Sequence, residues 1–361
     1  LMDMVVITIC AVICGADDWE AVAEYGEAKQ GWLSSFLALP EGIPSHDTFW
    51  RVFRRLNGEQ FQQCFLAWVQ SLASVLPQGV TASHTPAVIA IDGKQLRRSH
   101  DGAAGHAPIH LLSAWASEQQ LVLGQLRVDE KSNEIVAIPA LLKALDIAGS
   151  VVTIDAMGCQ TGIAQQIVEQ GGDYLLALKG NHPWLYEDVQ LLFDNLAECG
   201  VTVDDASWYR QVHKGHGRIE IRQAWVVTDP AILNNLRGSE KWPHLTALVK
   251  LEAERLTASG RNSQSRYYLA SWALSPQQAI TMTRSHWCIE NSLHWVLDMA
   301  FREDESRLRK DYGAHNFAIL RHIALNLLKQ EKTNRLGVKN KRLRAAWDND
   351  YLLRVLAPLF A

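Results

Sequence analysis

Apolar positions recur with a period near 3.6 from Phe49 through Leu76, which predicts helix there, and Ser45, three residues before Thr48, stands as an N-cap. Residues 1–76 as a whole read as a helical N-terminal domain. Its first run, Met4–Ala16, is almost continuously apolar; Asp3 stands where a secretory leader would carry basic residues, so the run reads as a buried helix. Because the chain opens at Leu1, we expect this domain to be truncated at its start. Between Pro77 and Pro86 the stretch PQGVTASHTP has turn formers and no apolar period, and residues 77–86 read as a linker.

Short apolar runs then alternate with helical ones. Ala87–Asp92 is a buried-strand candidate ending in Asp-Gly, and Ile109–Ala116 and Leu121–Val128 are two more strands joined by the polar turn 117–120. A helix containing Ala140–Leu145 follows, with Pro139 expected in its first turn. Next come a strand (Val151–Asp155), a helix (Gly162–Gln170), a strand (Tyr174–Lys179) and a helix (Trp184–Leu196). The order β-β-β-α-β-α-β-α implies an α/β fold, a mixed sheet with helices on both faces, which is the topology of the ribonuclease-H-like fold. Strand patterns return at Arg218–Val227, His244–Leu251 and Arg266–Trp272, so a β-rich insertion is expected at about 199–272. Ser275-Pro276 then starts a helix running to about Ala300, and a second covers Ala314–Gln330. This α/β domain spans 87–330, and 331–361 reads as a basic C-terminal tail.

Composition narrows the class of protein. With 48% hydrophobic and 20% charged residues among 361, wholesale disorder is excluded. No apolar run reaches the roughly 18 residues of a membrane span. Six scattered cysteines without C-x-x-C argue against a zinc site or a disulfide scaffold and for a reducing cytoplasm. The net charge of -4 divides unevenly: from Arg302 onward there are 13 Lys/Arg against 7 Asp/Glu, leaving 22 against 32 in the rest. A polyanion is one partner for such a basic end; a solvated helix carries the same charge. Neither a P-loop nor G-x-G-x-x-G occurs, which disfavours NTPase and dinucleotide chemistry.

Two carboxylates mark the predicted strand ends, Asp92 in IDGK and Asp155 in TIDAMG. Functional groups gather at the carboxyl ends of strands in α/β sheets, and paired carboxylates form a hard oxygen cage for Mg²⁺ or Mn²⁺. Each alone is also an ordinary turn residue or N-cap. Glu290, in RSHWCIENSLHWVLD, shares a helix margin with His286 and His294 and is the candidate third ligand. Asp298, Glu303, Asp304 and Glu305 read as solvated.

These residues lie within motifs (IDGKQLR, TIDAMGCQ, Y.LALKGNHP, GHGRIE.R, HW.IENSLHW.LD and N....R.IALNLL) that resemble the DDE transposases of bacterial insertion sequences, in the branch of H-repeat-associated proteins found beside Rhs elements. The resemblance spans nearly the whole chain. It implies that Asp92, Asp155 and Glu290 are catalytic and hold two Mg²⁺ or Mn²⁺ ions. It also implies a transposase-associated N-terminal domain, metal-dependent strand cleavage followed by strand transfer, and a bacterial, cytoplasmic, nucleoid-associated protein acting as a homodimer on double-stranded DNA, with no membrane. The chain departs from the wider group at His286 and Leu297, where an Arg and a Lys are expected beside the Glu, and lacks the accompanying Tyr.

Candidate DNA contacts are Lys94, Lys179 and Asn181 just beyond strand ends, Arg218 and Arg222 on one strand face, and Arg284, Arg302 and Arg307 near Glu290. Arg51, Arg54 and Arg55 form a further basic helix face, and Lys329–Arg344 is a non-specific footprint. A catalytically inactive relic that only binds DNA, or a stand-alone metal-dependent nuclease, are the alternatives.

Overall fold

The computed structural model describes residues 1–75, 86–100, 107–128, 133–198, 206–215 and 217–360. Most of the expected linker, and the first residues of the expected insertion (199–205), lie outside the described residues. The strands are β1 (Val88–Gln95), β2 (His110–Ala116), β3 (Leu121–Val128), β4 (Val151–Ile154), β5 (Asp173–Leu178), β6 (Ala206–Gly215), β7 (Arg218–Val227), β8 (Ala247–Thr257) and β9 (Gly260–Ala270). The helices are α1 (Met2–Cys14), α2 (Trp19–Ala28), α3 (Gln30–Leu33), α4 (His46–Arg55), α5 (Gly58–Val75), α6 (Glu134–Lys143), α7 (Thr161–Glu169), α8 (Pro183–Glu198), α9 (Pro230–Asn234), α10 (Pro276–His286), α11 (Trp295–Phe301), α12 (Gly313–Gln330), α13 (Val338–Trp347) and α14 (Asn349–Leu356). Among the described residues the strands form one mixed sheet of order β3-β2-β1-β4-β5-β9-β8-β7-β6.

The chain groups into two compact units, and β1 runs through both: one unit comprises Gly79–Asp92 and Glu134–Ile289, the other Leu1–Gln78, Gly93–Asn133 and Glu290–Ala361. In the first unit β1, β4 and β5 are parallel, and β9, β8, β7 and β6 continue antiparallel. One sheet face, with Val88, Val151, Leu175, Val249 and Ala270, shares a core with Ala279, Ile280 and Met282 of α10. On the other face Ile154 approaches α6 so closely that a Cβ on Gly158 would fall 2.3 Å from its Cγ2 and 3.0 Å from Ile138 Cδ1, so only glycine fits that turn. Helix α10 starts with Ser275 and Gln278 in a reciprocal capping box and Pro276 at the first position, as the sequence predicts. Pro139 is the sixth residue of α6 rather than part of its first turn.

In the second unit α12 is buried along its whole length and packs against α1, α4 and α5. Its amides serve neighbouring backbones: Asn326 Oδ1 accepts from Val122 N–H (2.8 Å) and its Nδ2 donates to Val122 O (3.0 Å), pairing polar groups on the edge strand β3. The segment after Gln330 is not an extended tail. It folds into α13 and α14, where Lys341 and Arg342 are buried.

Candidate active site

The parallel register pairs Ile91 with Ile154, so Asp92 and Asp155 occupy the next equivalent positions of adjacent strands. By alternation they belong to the face of Val88 and Val151, the one α10 covers. Asp92 is half-buried and Asp155 is exposed. Asp155 Oδ1 accepts from the backbone N–H groups of Met157 (3.0 Å) and Gly158 (3.3 Å), which orients the carboxylate and forms the turn into α7. From α10, His286 Nδ1 meets Thr153 Oγ1 at 3.1 Å, two residues before Asp155 on the same face.

In the other unit Glu290 opens a π-helical turn, Glu290–His294, between α10 and α11. Its Oε2 lies 3.5 Å from His294 Nδ1, with the Glu290 carboxylate half exposed and the imidazole buried. Burial pushes the His294 pKa below its usual value, and the Glu290 charge opposes that shift. A carboxylate and an imidazole together offer donors for a divalent cation.

The expected cationic contacts fall into distinct environments. Lys94 is mostly buried and donates to Asp298 and to Glu303 Oε2 (2.8 Å), so its charge is engaged within the protein. Glu303, expected in solvent, is buried beneath it and faces Arg321 Nη1 at 3.7 Å. Asn181 Nδ2 donates to the carbonyls of Ala156 (2.9 Å) and Cys159 (3.2 Å), which fastens the turn after Asp155. Arg218 and Arg222 both pair with Glu220, at 2.7 and 2.8 Å, and Arg302 pairs with Glu305. Arg284 is exposed, 3.4 Å from His213 Nε2, and Arg307 is exposed. Leu297 is buried on α11.

Lys179 is exposed and lines a pocket of about 120 Å³ with Thr153, Asp155, His286, Trp287 and Arg266. Arg266 escapes a reading by charge clusters because it is a lone cation in a strand. The signal was its alternation with Tyr268 and Ala270, which sets it on the face of Asp155.

The sequence matches the family described as the transposase DDE domain over residues 83–327 and the domain associated with it over residues 1–69. It is 39% identical over 361 residues to the H repeat-associated protein YhhI of Escherichia coli (strain K12), covering 99% of this chain and 92% of that one. It is 43% identical over 279 residues to an uncharacterized protein in the dhlA 3′ region of Xanthobacter autotrophicus, covering 76% of this chain and 88% of that one. Among solved structures, a piggyBac transposase synaptic complex with hairpin DNA aligns with 99% of this chain and 72% of its own at 11% identity, with a TM-score of 0.41.

Proposed function

The chain belongs to the DDE transposases of the H-repeat branch, and we propose that it cuts DNA at the ends of its own insertion element and joins the freed 3′ ends to a target, using divalent ions held by Asp92, Asp155 and Glu290. The observation that carries this reading is the equivalent placement of Asp92, within β1, and Asp155, just after β4, one residue past the last pair of the parallel β1–β4 ladder and on the face covered by α10. Glu290 joins them through the motif HW.IENSLHW.LD, in which the resemblance places the third carboxylate. The β1–β5 strand order with interleaved helices is read as ribonuclease-H-like, with β6–β9 as its insertion.

The donor set fits a hard divalent cation, because Asp92, Asp155 and Glu290 offer oxygens alone. Bound there, two Mg²⁺ or Mn²⁺ ions supply Lewis acidity for activating water or a 3′-hydroxyl and for stabilising the leaving oxygen. The chain's own part is to hold the carboxylates in place. The Met157 and Gly158 N–H groups orient Asp155, the Asn181 amide braces the turn that carries them, and His294 flanks Glu290. Joining two element ends to one target needs two such sites, so the working form is read as a homodimer on double-stranded DNA. All three carboxylates are intact, which favours an enzyme over a DNA-binding relic.

Asp155→Asn nearly preserves volume and removes one ligand charge. With labelled duplexes from the ends of the DNA segment encoding the chain, and Mn²⁺, the parent should nick and join strands. The variant should lose both by at least about a hundredfold while binding the same duplex, because affinity rests on phosphate contacts. Parent-rate cleavage by Asp155→Asn would remove this residue, and the assignment, from the mechanism.

A further inference from the structure

Several basic residues of this chain are neutralised in place. Lys94 faces Asp298 and Glu303, Arg218 and Arg222 share Glu220, Arg237 grips Asp188, Arg261 meets Glu254, and Arg302 meets Glu305. Lys179 and Arg266 differ. Among the described residues neither has a carboxylate at ion-pair distance, yet both line the pocket that contains Asp155.

The strand register sharpens the contrast. In the antiparallel β5–β9 ladder the last pair is Leu178 with Tyr267, and continuing that register by one residue would set Lys179, just past β5, against Arg266. Directly opposed side chains have Cβ atoms about 4.5–5.5 Å apart, and like charges there are destabilising. Arg266 is nevertheless held in place: its guanidinium carbon stands 4.5 Å from the centroid of the Trp287 ring, and its Nη2 donates to Gln264 Oε1 at 2.9 Å. A fixed guanidinium fork sharing a pocket with an ammonium, with no carboxylate at ion-pair distance from either among the described residues, is a site suited to an external anion.

We propose that Lys179 and Arg266 hold a phosphate of the DNA strand presented to Asp155, an inference that rests on the reading of Asp155 as part of the active site.

The test measures binding of the labelled end duplexes by the full chain in EDTA, so that no strand is cut, for the parent, Lys179→Gln and Arg266→Gln. Each variant should bind about tenfold more weakly and lower the salt slope by about one, and Lys179→Gln should keep its thermal midpoint at or above the parent's because a repulsion is relieved. Duplexes with a neutral methylphosphonate at successive positions locate the contact. At the phosphate being held, the modification should weaken the parent and leave Arg266→Gln nearly unaffected. Parent affinity and slope in both variants, or losses additive with the methylphosphonate at every position, would overturn the proposal. The same panel with Mn²⁺ keeps the two readings apart. A parent that shows the coupling but never cleaves defeats the catalytic reading and leaves the phosphate site standing. A parent that cleaves while both variants bind like it does the reverse.

Discussion

Lys94 lies two residues beyond Asp92 on β1, and its ammonium is the counter-charge for Asp298 and for the fully buried Glu303. Burial alone would raise the Glu303 pKa; the charges of Lys94 and Arg321 outweigh it and hold the carboxyl below its usual value. Lys94→Met removes the closer cation and leaves a buried carboxylate facing Arg321 at 3.7 Å. Breaking a buried pair in this way costs about 3–5 kcal/mol, so urea unfolding should show a loss of that size. The sign of the pH effect is fixed too. A depressed carboxyl pKa contributes stability that is complete above the ordinary value of 4.5 and is lost as pH falls through the lower folded value, so the variant should lose part of the parent's acid-side slope. None of this was legible in the run Arg302-Glu-Asp-Glu, which looks solvated. Arg302 adopts φ 50°, the turn sends Glu303 inward, and its partner Lys94 is 209 residues away. A long-range charge pair leaves no local pattern. Asp92 and Asp155 stood out because an acid closing an apolar run is a local pattern, although β1 continues past Asp92 to Gln95.

At the scale of elements, the strands with a buried face could be read from their period, and Leu121–Val128 and Arg218–Val227 coincide with the strands observed. Strand β6 could not. Trp208 and Val212 are exposed, so it lacks a half-buried alternation, and its strand form comes from the ladder with β7. The outer half of β9, Gly260–Ser265, is polar and exposed for the same reason. The long helix expected from Ser275 to Ala300 is interrupted at Glu290–His294 by a π-turn, a one-residue irregularity without a sequence period of its own. In α12 the apolar stripe was legible, but not that the polar residues are buried as well. Burial holds His315 and His322 neutral, with pKa values lowered to about 4 from 6.5. For a lowered histidine pKa the unfolded chain binds more protons between the two values, so stability is full above pH 6.5 and falls as pH drops toward 4. The loss approaches about 3 kcal/mol per histidine. Chemical unfolding followed across this range should show that steepness, and His322→Asn should remove about one proton from the slope. An unchanged slope in the variant would mean that His322 does not titrate with unfolding.

For the molecule as a whole, a net charge of -4 conceals a basic C-terminal stretch, part of which is buried and part exposed. Arg342 Nη2 donates to the Val12 carbonyl at the end of α1 at 2.8 Å, and its guanidinium carbon stands 4.2 Å from the Phe301 ring centroid. Lys341 donates to the carbonyls of Leu328 (2.9 Å) and Glu331, and Tyr351 Oη donates to Glu331 Oε2 at 2.8 Å. These contacts tie α13 to α1 and to the end of α12, while Tyr351, Leu352, Val355 and Leu356 of α14 are buried. Four such side chains contribute about 6–12 kcal/mol by burial, comparable with the entire stability of a typical domain. Truncation after Gln330 should therefore abolish cooperative unfolding of this unit, and a loss of DNA binding in that variant would report unfolding rather than missing charge. Lys332, Arg335 and Lys339, between α12 and α13 and at the start of α13, are exposed. Replacing all three by Gln should leave the thermal midpoint within about a degree, because surface changes of this kind cost little. If they meet phosphates, DNA affinity should fall and the slope of log K against log salt should drop by about 2–3, uniformly across DNA sequences. A parent-like slope in the folded triple variant would assign DNA binding to the other basic residues, and with them to the surface around Lys179 and Arg266.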